Sequence, residues 1–204
     1  QDNRSEFDKH GPRNDSLAAL NKPELNFIIH TLIHEAIYEI QHFRKFNAQV
    51  GFMNMHQANS YEGRYFIPNF NNKGWGVFAI ENYHYKKYFA EVGIRYDERK
   101  LRVFIDKNGF IKQPFYNYKK YSGLLGTGFH FIGHDVKINI GTGWRAPGVN
   151  ELYANGVHHG AAAVEIGDEH LKPETNINTA VWWSIKHIKK IDGEVEIYQN
   201  TIQN

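Results

Sequence analysis

Histidines are the residues in this chain with the clearest capacity for chemistry. His158 and His159 are adjacent, between Gly156 and Gly160. Neutral imidazole nitrogens ligate haem iron and zinc, so the pair is a candidate metal contact. Neighbouring side chains on extended backbone point apart, so one of the two would hold a given ion directly. His170 is a third candidate ligand. The competing reading is a solvated loop that binds nothing. Arg145 and Glu151 could pair and brace the base of the same loop. Pro147 has no N–H and ends strand pairing, and Ala146 before it is biased to extended geometry. Cations from Arg95 to Lys120 (Arg95, Arg99, Lys100, Arg102, Lys107, Lys112, Lys119, Lys120) could attract anionic chelates, or could simply be solvated loop charge. There is no nucleophile elbow and no Gly-rich phosphate loop. His34-Glu35 lacks the second His of a zinc-protease helix, because position 38 is Tyr38. No enzyme and no resident cofactor are expected.

The elements that must carry these residues follow from composition and periodicity. The chain has 204 residues with 41% hydrophobic and 23% charged, which suits a folded domain or a piece of a larger one. The longest apolar runs are short, as in Phe27-Ile28-Ile29, far below the ~20 residues of a spanning helix. With no cysteine, disulfide scaffolds and thiolate metal sites are excluded. A net charge of +2 is too mild to imply nucleic acid. Gln1-Asp2-Asn3-Arg4-Ser5 is not a signal peptide. Aromatics at 15% and 12 histidines are both high. That balance fits an outer-membrane β-barrel, in which one face of each strand is apolar and the other polar, and it also fits a soluble β-protein.

Period-two alternation favours strands. Val136, Ile138 and Ile140 alternate with Asp135, Lys137 and Asn139. Similar windows cover 46–53, 91–97 and 176–186, and weaker ones 24–40, 74–86, 118–132 and 193–203. Ile28 to Ile40 could also be read as a helix. Short connectors are expected near Lys86-Lys87, Gly133-His134 and Lys189 to Gly193, and long ones at 58–73, 98–117 and 145–173. The polar segment 9–23 reads as a connector. Eight strands at roughly 25 residues per strand and loop match an up-and-down barrel. Trp144, Trp182, Trp183, Tyr83, Tyr85, Tyr118 and Tyr121 fall near strand ends, where interfacial belts form, and His130 and His134 frame a turn there.

Gly141 to Tyr153 contains Trp144-Arg145-Ala146-Pro147 and then Glu151-Leu152-Tyr153. This resembles the box that TonB-dependent outer-membrane receptors carry after a barrel strand. Glu165-Ile166-Gly167-Asp168 and Leu171-Lys172-Pro173-Glu174 resemble the run to that family's second box, although Gly167-Asp168-Glu169-His170-Leu171 replaces its Asn-Pro form. Gln57-Ala58-Asn59, Ile67-Pro68-Asn69-Phe70, Gly76 to Glu81, Gly93 to Asp97 and Gln1 to Asp8 resemble other family segments in the same order.

The resemblance implies an all-β fold of antiparallel up-and-down strands, part of a barrel of about 22 strands in the bacterial outer membrane. Residues 1–204 would be a partial barrel, with the plug domain and the C-terminal strands absent. An isolated arc would leave two unpaired edges, which is unworkable in lipid. The implied function is energised uptake of a scarce nutrient chelate: an iron–siderophore, haem or another metal complex. The implied partners are a TonB-type energy-transducing protein acting through the missing plug, outer-membrane lipid and a small-molecule metal chelate. Trp144, Arg145, Ala146, Pro147, Glu151, Leu171 and Glu174 would form a structural box. Haem receptors of this type are thought to use a His between the two boxes, and zinc importers carry a run like Gly156-Val157-His158. The rival readings are a complete eight-stranded outer-membrane barrel with a structural or adhesion role, and a soluble β-barrel binding a small hydrophobic ligand.

Overall fold

The computed structural model of the chain describes residues 2–6, 25–41, 45–107, 109–158, 163–188 and 191–204. Eight long strands carry the fold: β2 (Leu25–Gln41), β3 (Phe46–Gly63), β4 (Asn69–Tyr85), β5 (Tyr88–Lys107), β7 (Phe115–Phe131), β8 (His134–Arg145), β11 (Glu174–Ile188) and β12 (Ile191–Gln203). Shorter strands are β1 (Asp2–Glu6), β6 (Phe110–Lys112), β9 (Asn155–His158) and β10 (Ala163–Ile166). The helix α1 spans Val149–Tyr153. The main sheet runs β1-β2-β3-β4-β5-β7-β8-β11-β12, with β6 beside β5, and every pairing is antiparallel. β9 and β10 form a separate hairpin. β1 and β12 are the two sheet edges and do not pair with each other, so the eight long strands do not close into a small barrel.

Each long strand alternates because its two faces meet different surroundings. Residues directly opposite in an antiparallel pair share a face, so rows can be followed across the sheet. One row runs Phe52, Val77, Tyr96, Tyr121. Another runs Val92, Leu125, Ile140, Thr179, and a third Thr127, Ile138, Val181, Ile197. These rows form an apolar band, broken by Glu81 opposite Val92, that no other described element covers: Ile94 is 61% exposed and Ile197 71%. Aromatics border the band at the tight-turn end, where Phe46 packs on Tyr83 and Tyr88 on Phe129. They border it again at the opposite end, where Tyr96 packs on both Trp75 and Tyr121. The other face is polar in mid-strand, with Arg95, Asp97, Ser122 and Lys120 in register. Farther along it turns apolar, because the long loop covers it.

The tight connections are made by left-handed residues. Lys86 has φ 52, and Ile132 and Gly133 have φ 35 and 77, which suits a two-residue hairpin turn. The third short connector, expected at Lys189 to Gly193, is shorter at its end, since Ile191, Asp192 and Gly193 already belong to β12; residues 189–190 and the polar segment 9–23 lie outside the described residues.

The strand reading of 24–40 holds over the alternative helix, since β2 pairs with β3 along its whole length. Other expectations need correction. The 58–73 loop shrinks to residues 64–68, and 98–107 belongs to β5, because alternation persists there. In that stretch Leu101, Val103 and Ile105 are buried while Arg102, Phe104 and Asp106 are exposed. Arg99, Lys100 and Arg102 are therefore strand residues, not loop charges. Three aromatics are not in the exposed belt. Trp182 lies on the loop side with Lys137 over its ring at 5.1 Å, Tyr118 lines the loop-side cavity, and the Trp144 indole donates to Asp97 Oδ2 at 3.3 Å.

The absence of native cysteine makes this register testable. Ile138 lies opposite Val181. An Ile138→Cys/Val181→Cys variant should cross-link under mild oxidation, read as a mobility shift reversed by reductant. Ile138→Cys/Trp182→Cys should not, because those side chains leave opposite faces of the sheet.

Candidate functional site

The loop after β8 is a folded unit that returns onto the sheet. β8 stops at Arg145, and Pro147 cannot donate to a ladder. Gly148 is the N-cap of α1, with extended φ −73 and ψ 156. Its N–H donates to Glu151 Oε2 at 2.6 Å, so a residue of the first turn satisfies the backbone just before the helix. Leu152 N–H to Gly148 O at 3.0 Å and Ala154 N–H to Asn150 O at 2.9 Å close the single turn. Val149 and Leu152, three residues apart, share the face buried on the sheet. There they join Phe70, Leu101, Val103 and Ile105, and both Leu152 (1%) and Val103 (0%) are sealed from water. Burial of each of these aliphatic side chains contributes on the order of 1.5–3 kcal/mol, enough to hold so short a helix. The Tyr116 and Tyr153 hydroxyls bond each other beside the cluster. Burial first, and the Tyr116 hydroxyl next, push the Tyr153 phenol pKa up.

The chain then crosses toward β2. Ala154 packs with Leu25, Phe27 and Phe66. Asn155 N–H donates to Phe66 O at 3.1 Å, and Arg64 Nη2 donates to Val157 O at 3.0 Å. The return path is tied to the outward path, with Gly167 N–H on Ala154 O at 2.8 Å and Asp168 N–H on Glu151 O at 2.9 Å.

Arg145 joins the base of the loop. It stands directly opposite Glu174, the first residue of β11. Its Nη1 and Nη2 reach Glu151 Oε2 and Oε1 at 2.8 and 2.9 Å, while Nε and Nη2 reach Glu174 Oε2 at 3.1 and 2.9 Å. One guanidinium thus bridges the strand where the chain leaves, the strand where it returns and the helix between them. The planar fork of Arg suits this two-carboxylate geometry, and the Lys ammonium does not. Hydrogen bonding to Arg145, ahead of the Gly148 N–H, holds the Glu151 carboxyl below its ordinary 4.5. The same bonds raise Arg145 further, Glu151 before Glu174. Arg145 is half exposed (51%), so solvent screens the pairs and the cluster acts chiefly as a geometric brace.

Between loop and sheet lies a cavity of about 400 Å³. Phe27, Phe66, Ala146 and Val149 give it apolar walls, and Gln57, Asn72, Arg99 and Tyr118 a polar side. Arg99 Nε donates to Asn72 Oδ1 at 3.3 Å. The Tyr118 hydroxyl is buried with no hydrogen-bond partner among the described residues. The sequence marked Arg99 only as one loop cation among many. Its place on the inward-facing row with Leu101 and Val103 is what would have singled it out.

The histidines are not gathered into a metal centre among the described residues, where no cluster of three His, Cys, Asp or Glu side chains could hold an ion. The His158 backbone pairs with Ala163 in the β9–β10 hairpin. Its side chain and the whole of His159 lie outside the described residues. His170 is exposed in a turn, with its N–H on Asp168 Oδ1 at 2.9 Å. Of the box residues, Arg145, Glu151 and Glu174 meet in one cluster, and Ala146 and Pro147 are buried against the sheet. Leu171 is 36% exposed and joins neither apolar cluster.

Two outcomes test this loop architecture. A Cβ on Gly167 would stand 2.4 Å from Tyr153 N and 2.5 Å from the Leu152 carbonyl carbon, and neither backbone atom can yield. Gly167→Ala should free the return segment, raising amide exchange at Gly167 and Asp168 roughly tenfold, the equivalent of one or two backbone hydrogen bonds. The second concerns pH. Because the Glu151 pKa is depressed in the fold, its contribution is complete above about 4.5 and is lost as pH falls through the lower folded value. Protease nicking of the loop should rise over that acid window in the native chain. In Glu151→Gln it should be high already at pH 7 and rise less.

The chain matches the TonB dependent receptor-like β-barrel family over residues 4–204. None of the curated proteins matches it. Among solved structures it resembles a double mutant of the Serratia marcescens haemophore receptor HasR, in complex with its haemophore HasA and haem. There the TM-score is 0.70 at 16% identity, over 88% of this chain and 34% of that one. It resembles the copper transporter OprC with a TM-score of 0.72 at 12% identity, over 88% and 31%. The third is the iron transporter FrpB of Neisseria meningitidis (F3-3 variant), with a TM-score of 0.66 at 12% identity, over 92% and 30%. The chain spans about a third of the length of these structures. With a family match over nearly all its residues and a receptor-type sheet, the chain belongs to the TonB-dependent receptor-like β-barrel family, a family of bacterial outer-membrane transport receptors rather than enzymes.

Proposed function

We propose that residues 1–204 are the middle of the barrel wall of an outer-membrane transport receptor that takes up a scarce metal chelate. In the intact protein an N-terminal plug would fill the barrel and C-terminal strands would complete it. A TonB-type partner would act through that plug to deliver energy from the inner membrane. An iron complex is the default cargo. Support comes from the kinds of transporter that share the fold, whose names speak of haem with a haemophore, of copper and of iron.

The observation that carries the reading is the loop folded against one face of a sheet whose opposite face is an exposed apolar band. In a membrane wall the apolar band faces acyl chains, and the loop-covered face turns to the lumen. The loop then narrows the outer mouth of the barrel and leaves a cavity in which Arg99 offers positive charge. An anionic chelate suits that charge. His158 and His159 are the proposed metal contacts on this loop, with His170 as a third, and the Arg145, Glu151 and Glu174 brace positions the segment that bears them.

Uptake by the full-length receptor tests the reading. Accumulation of labelled iron chelate or haem should fall to background when the TonB-type partner is deleted or the proton gradient is collapsed. Uptake unchanged under both conditions would remove the transport assignment. For the histidines, the double substitution His158→Ala and His159→Ala should lower haem or zinc uptake about tenfold or more, the scale expected for a lost ligand. Normal uptake of both would eliminate that site.

A further inference from the structure

Polar groups around the cavity between loop and sheet lack the partners their chemistry calls for. Arg99 and Tyr118 stand directly opposite each other on β5 and β7, and both line that space. Arg99 is partly buried and its contacts within the chain are long: Nε donates to Asn72 Oδ1 at 3.3 Å, and Nη2 lies 3.8 Å from Met55 Sδ. Among the described residues no carboxylate forms an ion pair with it. Asp97, two positions away on the same strand face, is taken by Arg95 at 2.7 Å and by the Trp144 indole. The Tyr118 hydroxyl has no acceptor among the described residues. Asn59 stands in register between Ile29 and Phe70, which line the same cavity. It is 6% exposed, and neither atom of its amide group has a partner among the described residues. A buried donor without an acceptor is costly, and a desolvated guanidinium without a counter-ion more so. An anion seated in the cavity removes both costs.

The walls say what else that anion carries. Phe27, Phe70 and Leu101 line the cavity from the sheet, and Ala146, Pro147 and Val149 from the loop. Arg99 is the one cation of this lining, and Glu165, its one carboxylate, has an interaction of its own. A single guanidinium suits a single negative charge. A bare inorganic ion would leave the apolar walls facing water. The volume is about 400 Å³. At ~30 Å³ for each water-sized group it holds about a dozen such groups, the size of a small organic acid. A metal ion wrapped in a full set of chelating groups is larger than that.

The cavity also depends on the loop. Its floor comes from β2, β3, β4, β5 and β7 and its roof from residues 146–150, so it exists only while the loop lies on the sheet. A ligand bound there favours the docked loop over the open one by the factor 1 + [L]/Kd.

We propose that this cavity is a binding site for a small, metal-free monocarboxylate with an apolar body, and that its occupant locks the segment between β8 and β11 onto the wall. The carboxylate accepts N–H groups of Arg99 and the O–H of Tyr118, and the apolar body lies between Phe70 and Val149. Arg99 still lends its charge to the barrel mouth, but the cargo does not enter this space. The site is the same whichever chelate is carried.

The test uses the full-length receptor in detergent, with 3-phenylpropionate as the probe. The readouts are the Kd by titration calorimetry and the rate at which a protease nicks residues 145–173. At ten times the Kd, nicking should fall about tenfold, the drop in open loop that linkage requires. The neutral 3-phenylpropanol keeps the body without the charge, and acetate keeps the charge without the body. Each should bind at least about tenfold more weakly and protect at most about twofold at the same concentration. Arg99→Gln should weaken 3-phenylpropionate binding about tenfold or more, and Tyr118→Phe about three- to tenfold. The alcohol should bind Arg99→Gln and the native receptor alike. Lys100→Gln, one residue along but on the opposite face, should bind the probe as the native receptor does.

If the native receptor binds neither 3-phenylpropionate nor hexanoate, the cavity holds water only and the proposal is overturned. Native-like probe binding by Arg99→Gln, or unchanged nicking with the probe bound, would overturn it as well. Chelate uptake should keep its KM at saturating probe; a competitive rise in KM would make the cavity part of the cargo's own seat and end the claim of a separate site. If Arg99→Gln fails the heat-modifiable gel shift of a folded barrel, Arg99→Lys, which keeps the charge and loses the fork, takes its place beside Tyr118→Phe, and both should still weaken binding. Binding and nicking are read without transport. A receptor that binds the probe but takes up nothing loses the uptake reading alone, and one that transports but ignores the probe loses this site alone.

Discussion

The whole structure depends on the antiparallel backbone ladder and its register. In hydrocarbon an unpaired N–H or C=O costs several kcal/mol, so a wall exposed to lipid must be strands paired on both sides. Once the ladder is set, the period of two divides every strand into one lipid-type face and one lumen-type face. A slip of one residue in β8 would send Ile138 and Ile140 inward and Lys137 and Asn139 outward. Register is therefore specified strand by strand, through rows such as Val92, Leu125, Ile140 and Thr179.

That division explains why the loop can exist in the form it takes. A wall buries little within itself, since each strand shows one face to lipid and the other to the lumen. Both apolar clusters form where the loop meets the lumen side, and α1 and Ala154 supply the missing half of each. The long inward-facing side chains of β2, β4 and β5 thus gain a partner that no strand in the sheet could provide. Arg145 makes the arrangement stable at its base, because one planar cation bonds both carboxylates that close the loop.

The two faces also separate two kinds of charge. Arg95 and Asp97 are satisfied by each other on the lumen side, through three contacts of 2.7 to 2.9 Å, and the Trp144 indole adds a fourth bond to Asp97. On the outward side the cations of β4, β5 and β7 outnumber their carboxylates. Strand parity alone decides to which group a basic residue belongs: Arg99 lines the internal cavity and its neighbour Lys100 the outer rim.

The sequence by itself determined the class of fold, the number of long strands and most of their centres, because alternation over Val136 to Ile140 or Ile177 to Ile185 is a local property. It also determined the family, through an order of short segments from Gln57 to Glu174. It misjudged strand ends at 58–73 and 98–117, where polar composition looks like loop although the ladder continues. It could not place Trp144, Trp182 or Tyr118 on a face, since aromatics near strand ends serve a membrane belt or a lumen equally well. Only the tertiary structure decided that the segment after Arg145 turns inward, that Val149 and Leu152 cap a cluster, and that Glu174 shares the guanidinium with Glu151. These contacts join residues far apart in the chain but adjacent across the sheet, and periodicity carries no information about which distant segment will cover a given face.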